Sequence, residues 1–142
     1  SYKMKKFLFL MLFACLGFGM QAQGLNAKYV QMKKVYNFQE EFNEYRVNSF
    51  LKHKLEEAGY TVFYDDQELP QEVTADPCKL LKCNVERGKS MTATKLTVSL
   101  VNCKNEQIFT ANGESRLKKR SKSHVDALKN ALEYTALNKN KQ

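Results

Sequence analysis

The 142-residue chain carries 23 Lys and Arg against 15 Asp and Glu, a formal charge of +8. That length is one domain's worth, and a chain with no tryptophan, two prolines, no low-complexity run and no internal repeat is neither a solenoid nor a biased linker. The basic balance suits anionic partners without naming one.

Met4-Lys5-Lys6, then Phe7 to Phe18, set a charged segment before a short apolar one, and small residues lead on to Gln21-Ala22-Gln23. This is the layout of a secretory signal peptide, with an apolar core too short for a transmembrane helix. Residues 1–22 are read as that leader, starting at Met4 behind an extension of three residues and cleaved after Ala22. Residues 23–142 are read as a single domain. Leu12-Phe13-Ala14-Cys15 also resembles a lipobox, which would anchor the protein through a lipid on Cys15. Phe13 is bulky where that motif takes a small or β-branched residue. The residues after Cys15 prolong the apolar core instead of starting a polar tether, so the cleaved leader is preferred.

Ala27 to Val35 reads as a first strand, with Tyr29, Val30, Met32 and Val35 as its apolar residues. Asn37 to Gly59 is helical in its main part: Val47, Phe50, Leu51, Leu55 and Ala58 recur at helical spacing. Asn43 is the expected N-cap and Gly59 the expected C′ residue. Tyr60 to Tyr64, aromatic and β-branched, is a second strand. Strand, helix and strand in succession predict a parallel pair joined by a right-handed crossover. Asp65 to Pro77 is a polar connection.

Lys79 to Glu86, Lys95 to Cys103 and Glu106 to Asn112 alternate with period two and predict an antiparallel meander. If the first pair folds about the middle of Arg87-Gly88-Lys89-Ser90, Leu81 faces Leu100, Cys83 faces Val98 and Val85 faces Leu96 on an apolar face. Lys82, Asn84 and Glu86 then meet Ser99, Thr97 and Lys95 on a polar one. A one-residue slip would mix the faces, and each cross-strand pair contributes roughly 0.2–1 kcal/mol. The same register sets Cys78 opposite Cys103, at roughly the 4.5–5.5 Å Cα spacing that a disulfide bridges. Cys83 points into the core as an inert thiol. A two-residue turn at Lys104-Asn105 sets Cys103 against Glu106 and brings Phe109 and Ala111 onto the apolar face. Ser123 to Leu137 is the last helix, with Ser123 as cap, Asp126 completing a capping box, and Val125, Leu128, Leu132 and Leu137 as its stripe. The order β-α-β-β-β-β-α predicts a two-layer α+β sandwich: a mixed sheet holding a three-stranded antiparallel meander, with both helices on one face.

Several segments together resemble small exported proteins of the Bacteroidota. These are Glu57-Ala58-Gly59-Tyr60-Thr61-Val62-Phe63 with Leu69-Pro70, Leu96 to Leu100 leading into Cys103, Gly113-Glu114-Ser115, and the last helix with Ala127-Leu128 and Ala131. The leader ending in Ala-Gln is similar too, so the resemblance spans nearly the whole mature chain. It implies an exported domain with cysteines at the positions of Cys78 and Cys103, and it implies no activity. More loosely, the element order looks like the α/β domain at the N-terminus of TolB and in envelope lipoproteins of the LpoB and CsgG kind, a likeness of fold and not of function.

No catalytic signature is present. His53 and His124, the two histidines, have no Cys, Asp or Glu at metal-ligand spacing and read as surface residues. A Cys–His nucleophile pair needs a thiolate-stabilising site that a core-facing Cys83 would not have. Asp65, Asp66 and Glu68 make an acidic turn without the glycine-bent loop of a calcium site. No phosphate loop and no nucleophile elbow occurs. Arg116, Lys118, Lys119, Arg120 and Lys122 crowd just before a helix N-terminus. Cations there oppose the helix dipole, so stability does not explain them; the run reads either as a solvated charged loop or as an anion-binding patch for lipopolysaccharide, a polyanionic glycan or a partner's acidic face. The expectation is an exported, non-enzymatic envelope domain without cofactor or metal. Its partner would be an envelope protein or a polyanionic glycan or lipid, and not nucleic acid, which an exported chain would not meet. The alternatives are a lipid-anchored assembly factor and a small hydrolase. A cleft around either histidine with an acidic neighbour would favour the hydrolase.

Overall fold

The apolar alternation builds five strands in one mixed sheet. A computed structural model of the chain describes residues 27–133. The elements are β1 (Tyr29–Met32), α1 (Val47–Glu57), β2 (Thr61–Tyr64), α2 (Gln71–Ala75), β3 (Leu80–Arg87), β4 (Thr94–Val101), β5 (Gln107–Ser115) and α3 (Arg120–Leu132), with single 3-10 turns at Glu44–Arg46 and Pro77–Lys79. The strand order is β2-β1-β3-β4-β5. β1 lies parallel to both β2 and β3, while β3, β4 and β5 form the antiparallel meander. The expected α+β class holds, with one addition: the polar connection before β3 folds into α2 and a 3-10 turn. Tyr29 donates to Glu72 Oε2 at 2.7 Å and Lys79 donates to Glu72 Oε1 at 2.9 Å, tying α2 to the sheet. Those two hydrogen bonds hold the Glu72 carboxyl below its ordinary range.

One face of every strand enters a single core with α1 and α3. Val30, Met32, Leu81, Cys83, Val85, Leu96, Val98 and Leu100 meet Leu51, Leu55, Leu128 and Leu132 there. The other face carries exposed Lys82, Glu86 and Lys95. The faces are as expected, but the β3–β4 register is two residues away from the expected one. Cys83 pairs with Leu100, Val85 with Val98 and Arg87 with Leu96. A shift of two leaves every side chain on its own face. The loop decides the matter, and it runs from Gly88 to Ala93 because Ser90 Oγ accepts from the Thr92 and Ala93 amides at 3.3 and 3.1 Å.

The β4–β5 turn is also longer than expected. The Asn102 amide bonds to the Glu106 carbonyl at 2.9 Å and Asn105 sits at φ 65°, a three-residue hairpin loop with a bulge between Leu100 and Val101. Beyond that bulge the expected register holds, with Leu100 opposite Phe109 and Val98 opposite Ala111. Cys78 and Cys103 form the disulfide, with Cα atoms 4.8 Å apart. They do so from the Pro77–Lys79 turn and the β4–β5 loop, not as a directly opposed ladder pair. Cys83 is free and buried.

Gly59 (φ 104°) closes α1 as the C′ residue. The Gly59 amide bonds to Glu56 O and the Tyr60 amide to Leu55 O, a Schellman motif. Asn43 caps α1 from a distance: it stands four residues before Val47, and its Oδ1 accepts from the Ser49 amide at 2.9 Å. Asn43, Tyr45 and Arg46 all have φ near 60°, a conformation that costs non-glycine residues energy. A buried polar net beside them offsets the cost. Gln39 bonds Asn48 Oδ1 at 2.7 Å and the Glu44 carbonyl at 3.0 Å, while Asn48 bonds the Lys33 and Lys34 carbonyls at 3.0 Å.

The last helix starts three residues earlier than expected, at Arg120, with Lys119 in the cap position and no side-chain cap. Ser123 is therefore inside the helix, where its Oγ bonds the Arg120 carbonyl. The buried stripe runs through His124, Ala127, Leu128, Ala131 and Leu132, and Val125 is only half-buried. Leu137, like the leader and Cys15, lies outside the described residues. Among the described residues no helix is long and apolar enough to cross a membrane.

Candidate functional site

The C-terminal end of β3, the β3–β4 loop, the β5–α3 connection and the first turn of α3 surround an open cleft of about 980 Å³. The strand pairing creates it. Thr94 at the start of β4 lies opposite Ser115 at the end of β5, so the loops that precede Thr94 and follow Ser115 emerge side by side. Arg87 and Lys89 line the cleft from one side, and Arg116, Lys118 and Arg120 from the other, against a single carboxylate among the described residues, Glu86. Of the five cations read as one patch, three face the cleft. Lys119 and Lys122 are exposed but outside its lining. Arg87 and Lys89 belong to the site as well, although in the sequence they read only as part of the turn after the first meander strand. The β4–β5 register, which sets 94 against 115, was the signal that could have found them.

At the floor lies His124, only 2% exposed. This corrects its reading as a surface residue. Tyr45 stacks on the imidazole at 4.0 Å between ring centres and Phe38 at 5.9 Å, so the left-handed turn before α1 delivers an aromatic to the site. Nδ1 lies 2.7 Å from the Arg120 carbonyl, which can only accept, and Nε2 lies 3.4 Å from Arg87 Nη1, which can only donate. Those partners assign the neutral tautomer with the proton on Nδ1. Burial lowers the pKa of the imidazole. The Arg120 carbonyl works against that lowering, and the charges of Arg87 and Arg120 add to it. Arg87 also lies over the Phe38 ring at 5.5 Å.

The one lone pair with which His124 could take a proton already faces a guanidinium. Ser123 Oγ is 2.8 Å from Thr94 Oγ1, 3.1 Å from the Arg120 carbonyl and 3.5 Å from Nδ1, the nitrogen that carries the proton. His53, by contrast, is exposed as expected and pairs with Glu57 at 3.2 Å one turn on. The acidic turn meets Lys34: Asp65 accepts from its amide at 3.0 Å and Asp66 from its ammonium at 2.6 Å. Among the described residues no cluster of His, Cys, Asp or Glu could hold a metal ion. Burial pushes the Cys83 thiol up to about 12, far from a nucleophile's range.

No family model matches the chain, and no curated protein matches it. Among solved structures it is similar to a point variant of the PelC dodecamer from Paraburkholderia phytofirmans, with a TM-score of 0.47 and 12% identity over 75% of this chain and 87% of that one. It is similar also to the PelC dodecamer from the same organism in space group P6, with a TM-score of 0.46 and 12% identity over 75% and 86%. At that distance the likeness bears on neither ligand nor assembly.

Proposed function

We propose that the chain is an exported domain of the cell envelope that acts by binding, without catalysis, and that its cleft takes an anionic partner. The observation that carries this reading is the convergence of Arg87, Lys89, Arg116, Lys118 and Arg120 on one cleft where, among the described residues, Glu86 is the only lining carboxylate. Cations spread over a surface keep a protein soluble, whereas cations gathered in a concavity focus their field on a ligand. The first turn of α3 has no acidic residue and no side-chain cap, so its positive end reinforces the same field. The Cys78–Cys103 disulfide suits an oxidising compartment, and the likeness to small exported Bacteroidota proteins points the same way.

Retention on heparin in a salt gradient tests the reading. Arg116→Ser with Lys118→Ser should move elution to lower salt by more than Lys119→Ser with Lys122→Ser, which removes the same charge outside the cleft. Equal shifts for the two pairs would reduce the effect to net charge, and the cleft would lose its role.

A further inference from the structure

Charge is not all that lines the cleft. Met91, in the β3–β4 loop, is 103% exposed, and Leu117, in the β5–α3 connection, is 51% exposed. They are two of five large apolar side chains left exposed among the described residues, and both line the cleft. Lys89 stands two residues before Met91, and Arg116 and Lys118 flank Leu117 directly. The local backbone presents both. Ser90 Oγ gathers the Thr92 and Ala93 amides under the tip that carries Met91, and Ser115 Oγ accepts from the Leu117 amide at 3.3 Å. A soluble polyanion would engage the cations and leave both apolar side chains in water. An anionic lipid surface engages both kinds of group, since its headgroups offer phosphates and the layer just beneath them is apolar.

We propose that the two loops flanking the cleft dock onto an anionic lipid surface, with the cations on headgroup phosphates and Met91 and Leu117 inserted beneath them. This deepens the preceding reading and rests on it, since it names the anion as lipid phosphate presented by a bilayer. Two short apolar side chains insert shallowly, so the attachment is reversible and depends on both contributions. Each cation close to the surface strengthens binding about fivefold, and partial burial of the Met91 and Leu117 pair strengthens it about tenfold.

The test is sedimentation with vesicles of phosphatidylcholine alone or mixed with phosphatidylglycerol, run beside heparin retention. The chain should sediment with the mixed vesicles and not with the neutral ones. Met91→Ser with Leu117→Ser should weaken vesicle binding about tenfold and leave heparin retention unchanged. Arg116→Ser with Lys118→Ser should weaken both. Undiminished vesicle binding by the Met91 and Leu117 variant would overturn the proposal. So would a parent chain that heparin retains but mixed vesicles do not, although the anion-binding cleft would survive that result. A chain that neither support retains would remove the cleft's role as well. All four substitutions fall at exposed positions, so thermal melts of each variant should match the parent.

Discussion

His124 shows how far one residue's environment can depart from its sequence neighbourhood. A helix beginning at Ser123 would leave it in the first turn, open to water. The helix begins at Arg120, and the residues that seek the core are spaced through 124, 127, 128 and 131, so His124 turns inward. No local sequence signal marks that start, since Lys119 makes no side-chain cap. The lowered pKa has a consequence for stability. The unfolded chain takes up a proton on this imidazole more readily than the native one, so native stability is fully present above the ordinary histidine range and drains away as pH falls below about 6.5. Glu72 acts in a separate, lower window: its carboxyl is held down, so its contribution is lost only as pH falls through the carboxylate range. The melting temperature should therefore drop between about pH 7.5 and 5.5. His124→Phe, which keeps a stacking ring but cannot titrate, should flatten that slope. An equal slope in the variant would assign the loss to other groups.

At the scale of elements, the contact between α3 and β5 is set by an absent side chain. A Cβ built on Gly113 would run into the Ala127 carbonyl oxygen and lie 2.6 Å from the Ala131 amide nitrogen and 2.8 Å from its Cβ. The helix therefore rests on bare strand backbone, and small residues at 127 and 131 let it. Gly113→Ala must push helix and strand apart and should cost about 1–3 kcal/mol or more. At Gly88 the same atom would find only the Lys95 side chain and carbonyl, at 3.5 Å and beyond. Urea midpoints should fall for Gly113→Ala and stay close to the parent for Gly88→Ala, and matching midpoints would show that the helix can shift freely. The sheet teaches a related lesson about what a sequence reveals. Leu81, Cys83 and Val85 on β3, with Leu96, Val98 and Leu100 on β4, identify the inner face, because alternation reports parity. Parity is blind to a slip of two, and the serine-organised loop that settles the register carries no strong turn signature. Asn105 likewise hides a three-residue loop, since only its left-handed φ separates that loop from a two-residue turn.

Across the whole molecule, the disulfide joins the entrance of β3 to the far end of β4, closing a loop with a sequence separation of 25. A closure of that length should stabilise the fold by about 3–4 kcal/mol, chiefly by restricting the unfolded chain. Cys78→Ser with Cys103→Ser should lower the unfolding free energy by that amount in denaturant titrations, and Cys83 should stay unreactive in the folded variant. A loss below about 1 kcal/mol would mean that the unfolded chain was already restrained near these residues. The class of fold was readable in the sequence because its helical and strand periodicities are long and clean. The site was half readable, since a run such as 116–122 announces its charge while a partner cluster some thirty residues away is joined to it only by strand pairing. That strand order also governs assembly in time. Of the described strands β1 is made first, yet it sits between β2 and β3, and its second neighbour is not synthesised until about fifty residues later. The meander and α3 can assemble from contacts close in sequence, whereas β1 must wait, its edges open, for long-range parallel pairing that forms slowly. Among the described residues β1 is thus the stretch most in need of protection by a holding factor before the fold closes around it.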